Sequence, residues 1–398
     1  MPHIPAQVTV TPRAASRLRS GHVWVYASDV MEKASAEPGA LVQVVDPKGK
    51  LLGTAIYSSS SQITLRLISR DLVSSETALL QLISTRLKEA VEYRNRVVRA
   101  SNAYRVVFSE ADQLPGLIID RYNDVFTCQV LTQAWDRPER RKAIMQSLIE
   151  LTGAEHLVER VDERIRELEE LPPLKPDVLR GSKSSTVFTM NDVQFHYDAL
   201  SGQKTGAFLD QRENYAAAAN YARGEALDVC TYQGGFALHL ARTCEQVTAI
   251  DISRDALEVA EQNEKLNAAN NKHEIEWMEA NAFELMKDYA AAGRQYDTIV
   301  LDPPAFAKSK RHLESALRGY KELNLRALKM LRPGGVLVTC SCSFHVSEAE
   351  FLDVLTTAAQ DAHRSVHLLE KRTQSKDHPI LLGIPETYYL KCMVCSVK

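Results

Sequence analysis

Apolar and polar positions alternate in the first part of the chain. In "PGALVQVVDPKGKLLGTAIYSSSSQITLRLIS" the alternation breaks at "DPKGK" and "SSSS", which predicts short antiparallel strands in a small β-rich module. From Glu76 to about Arg99 the period changes, with Leu79, Leu80, Ile83, Leu87 and Val91 at helical spacing, so a boundary falls near residue 75. Strand-like "YRVVF", "GLIIDRY" and "VFTCQVL", helix-like "PERRKAIMQSLIELTG" and strand-like "EHLVERV" then describe a central α+β unit over 76–185. The charged, Pro-rich "RIRELEELPPLKP" closes it, and "STVFTMNDVQFHYDAL" reads as a hairpin leading into a last unit over 186–398. Residues 224–346 alternate strand and helix. That order predicts an α/β fold, a mostly parallel sheet with helices on both faces and ligands at the carboxyl ends of its strands.

Composition refines this picture. At 398 residues, 45% hydrophobic and 25% charged, the chain is a globular protein long enough for two or three domains. No apolar run reaches the roughly 18 residues of a membrane span and the start lacks an apolar signal core, so a cytoplasmic protein without a membrane partner is expected. Seven cysteines, an odd number in so long a chain, exclude a disulfide scaffold. Cys392 and Cys395 form a C-x-x-C with no second pair or paired histidines, so buried thiols rather than a metal site are expected. The net charge of −3 hides an asymmetry: residues 1–75 hold eight Lys and Arg against five Asp and Glu, whereas 186–398 hold 23 against 28. The mildly basic first module is therefore a candidate RNA contact.

Chemistry concentrates at strand ends. Gly234 and Gly235 follow the first strand of the last unit, where glycine lets a ligand approach the backbone; Asp251 ends the second and suits a ribose diol. A turn glycine and a helix-capping acid account for these two as well. Asn281 follows the third strand, placed to pair with an adenine amino edge, and the fourth ends in Asp302-Pro303-Pro304. The succession of glycine, acid, amide and D-P-P resembles class I S-adenosylmethionine-dependent methyltransferases. With "SGQKTGAFLDQREN", "QLPGLIIDRY", "RSGHVWVYASDV" and "SCS" also present, the whole chain is similar to PUA-domain-containing large-subunit (23S) ribosomal RNA cytosine-C5 methyltransferases. That resemblance implies a PUA RNA-binding domain over 1–75, a central domain, and a Rossmann-like catalytic domain with a seven-stranded sheet. It implies S-adenosylmethionine as cofactor, large-subunit ribosomal RNA as partner, and a possible homodimer. Phe208, Asp210 and Gln211 would lie near the methionine end of the cofactor, Gly234 and Gly235 beneath it, Asp251 on the ribose and Asn281 near adenine. Asp228, in a glycine loop sparser than the usual D-x-G-x-G, joins the cofactor set.

Cytosine C5 is too poor a nucleophile to take a methyl group until another nucleophile adds at C6, and a thiolate suits that reversible addition. The family's S-C-S motif falls on Ser341, Cys342 and Ser343, which makes Cys342 the nucleophile candidate and Cys340 a packing residue. Asp302 would contact the cytosine N3 and amino edge. Lys308, Lys310 and Arg311, on the loop after D-P-P, would hold RNA phosphates. Two other readings stay open: an RNA guanine N-methyltransferase, which needs no thiol, and a non-catalytic RNA-binding assembly factor.

Overall fold

The computed structural model describes residues 5–32, 35–200, 207–307 and 309–398. These fall into two compact units, one within Met1–Thr186, Tyr197–Gly206 and Lys376–Thr387, the other within Val187–His196, Ala207–Ser375 and Tyr388–Lys398.

The first unit holds two five-stranded sheets. One runs in the order Ala6–Thr9, Leu41–Val45, Leu51–Tyr57, Ile63–Ser69, Trp24–Tyr26. The helix Pro12–Arg19, capped by Thr11, buries Ala14, Ala15 and Leu18 against Val42, Val44 and Leu65 of that sheet. The other sheet runs Asp177–Arg180, His156–Glu159, Val125–Val130, Leu117–Tyr122, Ala103–Phe108. Its main helix, Glu76–Val97, starts at the Ser75 cap and buries Leu79, Ile83 and Leu87 of the predicted stripe together with Ala90, while Leu80 and Val91 are only partly buried at the edge of that face.

Arg94 of that helix is wholly buried, and its guanidinium forks onto the Asp112 carboxylate. The late segment of the chain completes this part of the unit. Arg94 also donates to the carbonyl of Asp377 at 2.7 Å, the Arg105 amide donates to the Asp377 carboxylate at 2.8 Å, and His378 packs on Phe108.

The hairpin Ser185–Met190/Val193–Asp198 turns on Asn191 and Asp192, both at positive φ, the two-residue loop that matches the natural twist of paired strands. The second unit is built on a seven-stranded sheet whose strands we number within it: β1 Glu225–Val229, β2 Gln246–Asp251, β3 Ile275–Glu279, β4 Tyr296–Leu301, β5 Leu331–Ser341, β6 Val366–Arg372 and β7 Lys391–Val397. Their spatial order is β3-β2-β1-β4-β5-β7-β6. The first five are parallel and β7 runs antiparallel to both of its neighbours, closing a mostly parallel Rossmann-like sheet. The helices between them are α1 Gly235–Leu240, α2 Arg254–Asn267, α3 Ala282–Ala291, α4 Leu313–Met330 and α5 Glu348–Asp361. A core of Leu227, Ile299, Leu301, Leu323, Leu337 and Phe351 fixes the sheet, so the carboxyl ends of β1, β2, β4 and β5 are held as a rigid rim.

Candidate active site

The loop after β1 is the most unusual backbone on that rim. Cys230 and Tyr232 sit at φ +65° and +53° and Gly234 at +84°, alternating left-handed residues that non-glycine side chains seldom adopt. Asp228, fully buried in β1, holds this loop: one carboxylate oxygen accepts the Thr231 hydroxyl at 2.6 Å and the Ala237 amide of α1 at 2.9 Å. Burial, ahead of the neighbouring Asp251 charge, pushes the Asp228 carboxyl up to about 7. Asp228 thus clamps loop to helix.

The glycines make room for protein rather than only for a ligand. A Cβ on Gly234 would come within 2.7 Å of the Trp277 ring, and one on Gly235 within 2.5 Å of Tyr215. Tyr215 itself is buried, edge-on to Phe236. A pocket opens beside this contact, and Phe208, Tyr232, Cys230, Gly235, Tyr215 and Asp302 are among its walls. Phe208 and Tyr232 face each other across 5.0 Å, and Phe208 is 39% exposed, an apolar surface fit for a ligand.

Asp251 ends β2 with both carboxylate oxygens engaged from behind, one by the Tyr232 amide at 2.8 Å and one by the Ser253 amide at 2.9 Å. Each oxygen keeps a lone pair for a diol. Asn281 is exposed at the start of α3, and its side-chain oxygen already accepts the amides of Phe283 and Glu284. What Asn281 can offer a base is therefore its amide N–H, not an acceptor.

Gln211, in the short turn Leu209–Gln211 before the helix Arg212–Tyr221, donates to Asp302 at 3.0 Å while its own oxygen is held by Asn214 at 2.7 Å. Asp210 accepts the Tyr389 hydroxyl at 2.6 Å. Burial, then the charges of Asp210 and Asp228, push the Asp302 carboxyl up to about 8. Asp302 therefore holds its proton to higher pH than an ordinary carboxyl.

The end of β5 brings the cysteine to the same place. The Cys342 thiol points at the carbonyl of Pro303 across 3.8 Å, one residue past Asp302. Burial first, then Asp302 and Asp210, push that thiol up to about 12. Cys340 is fully buried and pairs in register with Cys392 of β7. Ser343 anchors the turn, its hydroxyl accepting the Ala307 amide at 3.2 Å and meeting the Tyr320 hydroxyl at 3.0 Å. Ser347 forms a capping box with Glu350 and starts α5.

Of the loop cations, Lys310 and Arg311 are exposed; Lys308 lies outside the described residues, as does "SGQKTG" of the entry motif. Arg318 pairs with Glu314 and Lys321 with Asp361, which explains both as surface ion pairs. The sequence reading missed Tyr215 and Tyr232 as pocket walls. Their signal is weak, because only the tertiary contact with Gly235 and the left-handed loop puts these rings there.

Residues 8–70 match the profile of the PUA-like domain, and residues 116–384 that of the S-adenosylmethionine-dependent methyltransferase. A ribosomal RNA large subunit methyltransferase I of Shewanella frigidimarina is 34% identical over 98% of this chain and 99% of its own length. One from Photobacterium profundum is 35% identical over 96% of each. Among solved structures, SMU.776, described in complex with SAH, superposes with a TM-score of 0.81 at 18% identity, covering 98% of this chain and 99% of that one.

Proposed function

The chain belongs to the S-adenosylmethionine-dependent methyltransferase family, and from that premise we propose that it methylates carbon 5 of a cytosine in large-subunit ribosomal RNA with Cys342 as nucleophile. The RNA class comes from the relatives. The chemistry rests on one observation, the Cys342 thiol beside the carbonyl that follows Asp302.

Residues 1–75 and the exposed Lys310 and Arg311 hold RNA phosphates, 76–185 completes the first unit, and catalysis lies within 186–398, apart from the segments Tyr197–Gly206 and Lys376–Thr387 that belong to the first unit. Phe208, Tyr232 and Asp251 hold the cofactor, with Gln211 and Asp228 shaping its site. When bound, S-adenosylmethionine supplies an electrophilic methyl group. Cys342 loses its proton to solvent and its thiolate adds to C6 of the cytosine. The electron pair of the C5–C6 double bond shifts through the ring to N3, where Asp302, which holds its proton to higher pH than an ordinary carboxyl, delivers a proton. C5 then carries enamine character and takes the methyl group. Loss of the C5 proton to a base expels the Cys342 thiolate, and N3 returns its proton to Asp302, which restores the aromatic ring and the carboxyl.

The test places 5-fluorocytosine at the target position. Fluorine cannot leave as a cation, so the cycle halts after methyl transfer with sulfur still on C6. Wild-type and Cys340→Ala enzymes should give a cofactor-dependent RNA adduct that survives denaturation, and Cys342→Ala none. An active wild-type enzyme that forms no adduct would instead support guanine nitrogen as the target.

A further inference from the structure

Lys391 is the first residue of β7 and lies opposite Ser341 in register. It is only 1% exposed, although it carries a cation, in a strand otherwise made almost entirely of apolar residues and thiols. Its ammonium donates to the carbonyls of Ser343 at 2.7 Å and Tyr389 at 2.9 Å. Neither acceptor is charged. The two carboxylates of α5 that act on it are engaged elsewhere: Glu348 by Lys371 and the Tyr388 hydroxyl, Glu350 by the Ser347 cap. Among the described residues, then, the ammonium has no carboxylate partner of its own. A buried cation without a counter-ion is costly and persists only where something compensates it.

We propose that Lys391 is the positioning residue of the nucleophile: it fixes the turn after Cys342 through the Ser343 carbonyl and serves as counter-ion to the thiolate when the proton leaves. This rests on the assignment of Cys342 as nucleophile. Among the described residues, the other ionisable groups that act on the thiol oppose its ionisation: Asp302 from the end of β4, Asp210 from the turn before the helix Arg212–Tyr221, and Tyr320 from α4. Lys391 acts in the other direction. Burial holds the Lys391 ammonium down at about 8, and the Cys342 charge is the first influence that raises it again. Thiol and amine are therefore each other's favourable partner, and adding a thiolate removes the charge imbalance that the resting site carries.

The experiment measures iodoacetamide alkylation of Cys342 against pH in the full-length protein, read on the Cys342 peptide by mass spectrometry. Lys391→Gln keeps an N–H for the Ser343 carbonyl and loses the charge, Lys391→Met loses both, and Lys391→Arg keeps the charge. At pH 8 the neutral variants should alkylate about tenfold more slowly than wild type, one unit of thiol shift, and recover as pH rises. Lys391→Arg should stay closer to the wild-type profile. Turnover in the neutral variants should fall with cofactor affinity unchanged, which also reports that they fold. Superimposed pH profiles for wild type and whichever neutral variant binds cofactor normally would overturn the proposal. Labelling requires no RNA, so its failure leaves the cytosine reading to the fluorocytosine adduct, and a missing adduct leaves the labelling result standing.

Discussion

Replacing Asp302 with Asn tests whether this carboxyl is kept protonated by its surroundings. Its ordinary value of 3.8 is raised to about 8, chiefly by burial. An acid whose folded value exceeds its unfolded value costs nothing below the unfolded value, because both states are then protonated. As pH rises from about 4 to about 8 the unfolded chain releases the proton while the folded one must keep it or bury a charge, so wild-type stability falls through that window. At 1.36 kcal/mol per unit the whole shift is worth roughly 6 kcal/mol as an upper bound. Relaxation around the half-buried side chain reduces this, and about 2 to 4 kcal/mol should appear between pH 5 and pH 8. Asp302→Asn removes the titration and retains an oxygen for the Gln211 amide. Thermal melts of the two full-length proteins at pH 5, 6.5 and 8 should show the variant gaining on wild type by at least about 4 °C over the series, since 1 kcal/mol moves the midpoint of a unit this size by about 2 to 4 °C. Methyl transfer should be lost in the same variant, because an amide cannot deliver a proton to N3. Midpoints that run parallel across the series, or a variant that loses ground as pH rises, would refute a protonated Asp302.

Asp251→Asn sets an amide N–H against either the Tyr232 or the Ser253 amide, so the S-adenosylmethionine dissociation constant should rise about 10- to 100-fold by calorimetry; unchanged affinity in a folded variant means the ribose lies elsewhere. Gly235→Ala drives a methyl group into Tyr215 and should cost about 1 to 3 kcal/mol in melts while weakening cofactor binding; a neutral outcome would show that the ring moves aside freely. Joint Lys48→Glu and Lys50→Glu substitution in the first sheet's exposed turn should weaken RNA binding and reduce the salt slope by about 0.7 to 0.9 per lost phosphate contact. An unaltered slope would remove that turn from the RNA surface.

What the sequence made legible was local. The helix stripe Leu79, Ile83, Leu87, the Asn191-Asp192 turn and the Ser347 capping box are each set by residues a few positions apart, so period and turn chemistry announce them. The parallel sheet followed from the strand–helix alternation. Gly234 and Gly235 were harder, because the rings that require them, Trp277 and Tyr215, lie far away in the chain. Asn281 carried a local sign, since Glu284 stands at the third helical position after it, yet the strand-end pattern drew attention to adenine instead. Lys391 has only a faint sign in the sequence, a lone lysine opening an apolar strand beside Cys392 and Cys395, and the β5–β7 pairing gives it meaning.

The segment Lys376–Thr387 bears on how the protein is made. A nascent chain emerges amino end first, and its early domains ordinarily finish folding while later ones are still being translated. Here the early unit cannot finish on that schedule. Arg94, fully buried, and the Arg105 amide wait for Asp377, so the chain as far as residue 377 must leave the ribosome before those groups are satisfied. Translation order and folding order are uncoupled in this chain. A stop codon late in the reading frame would strike its beginning as well as its end.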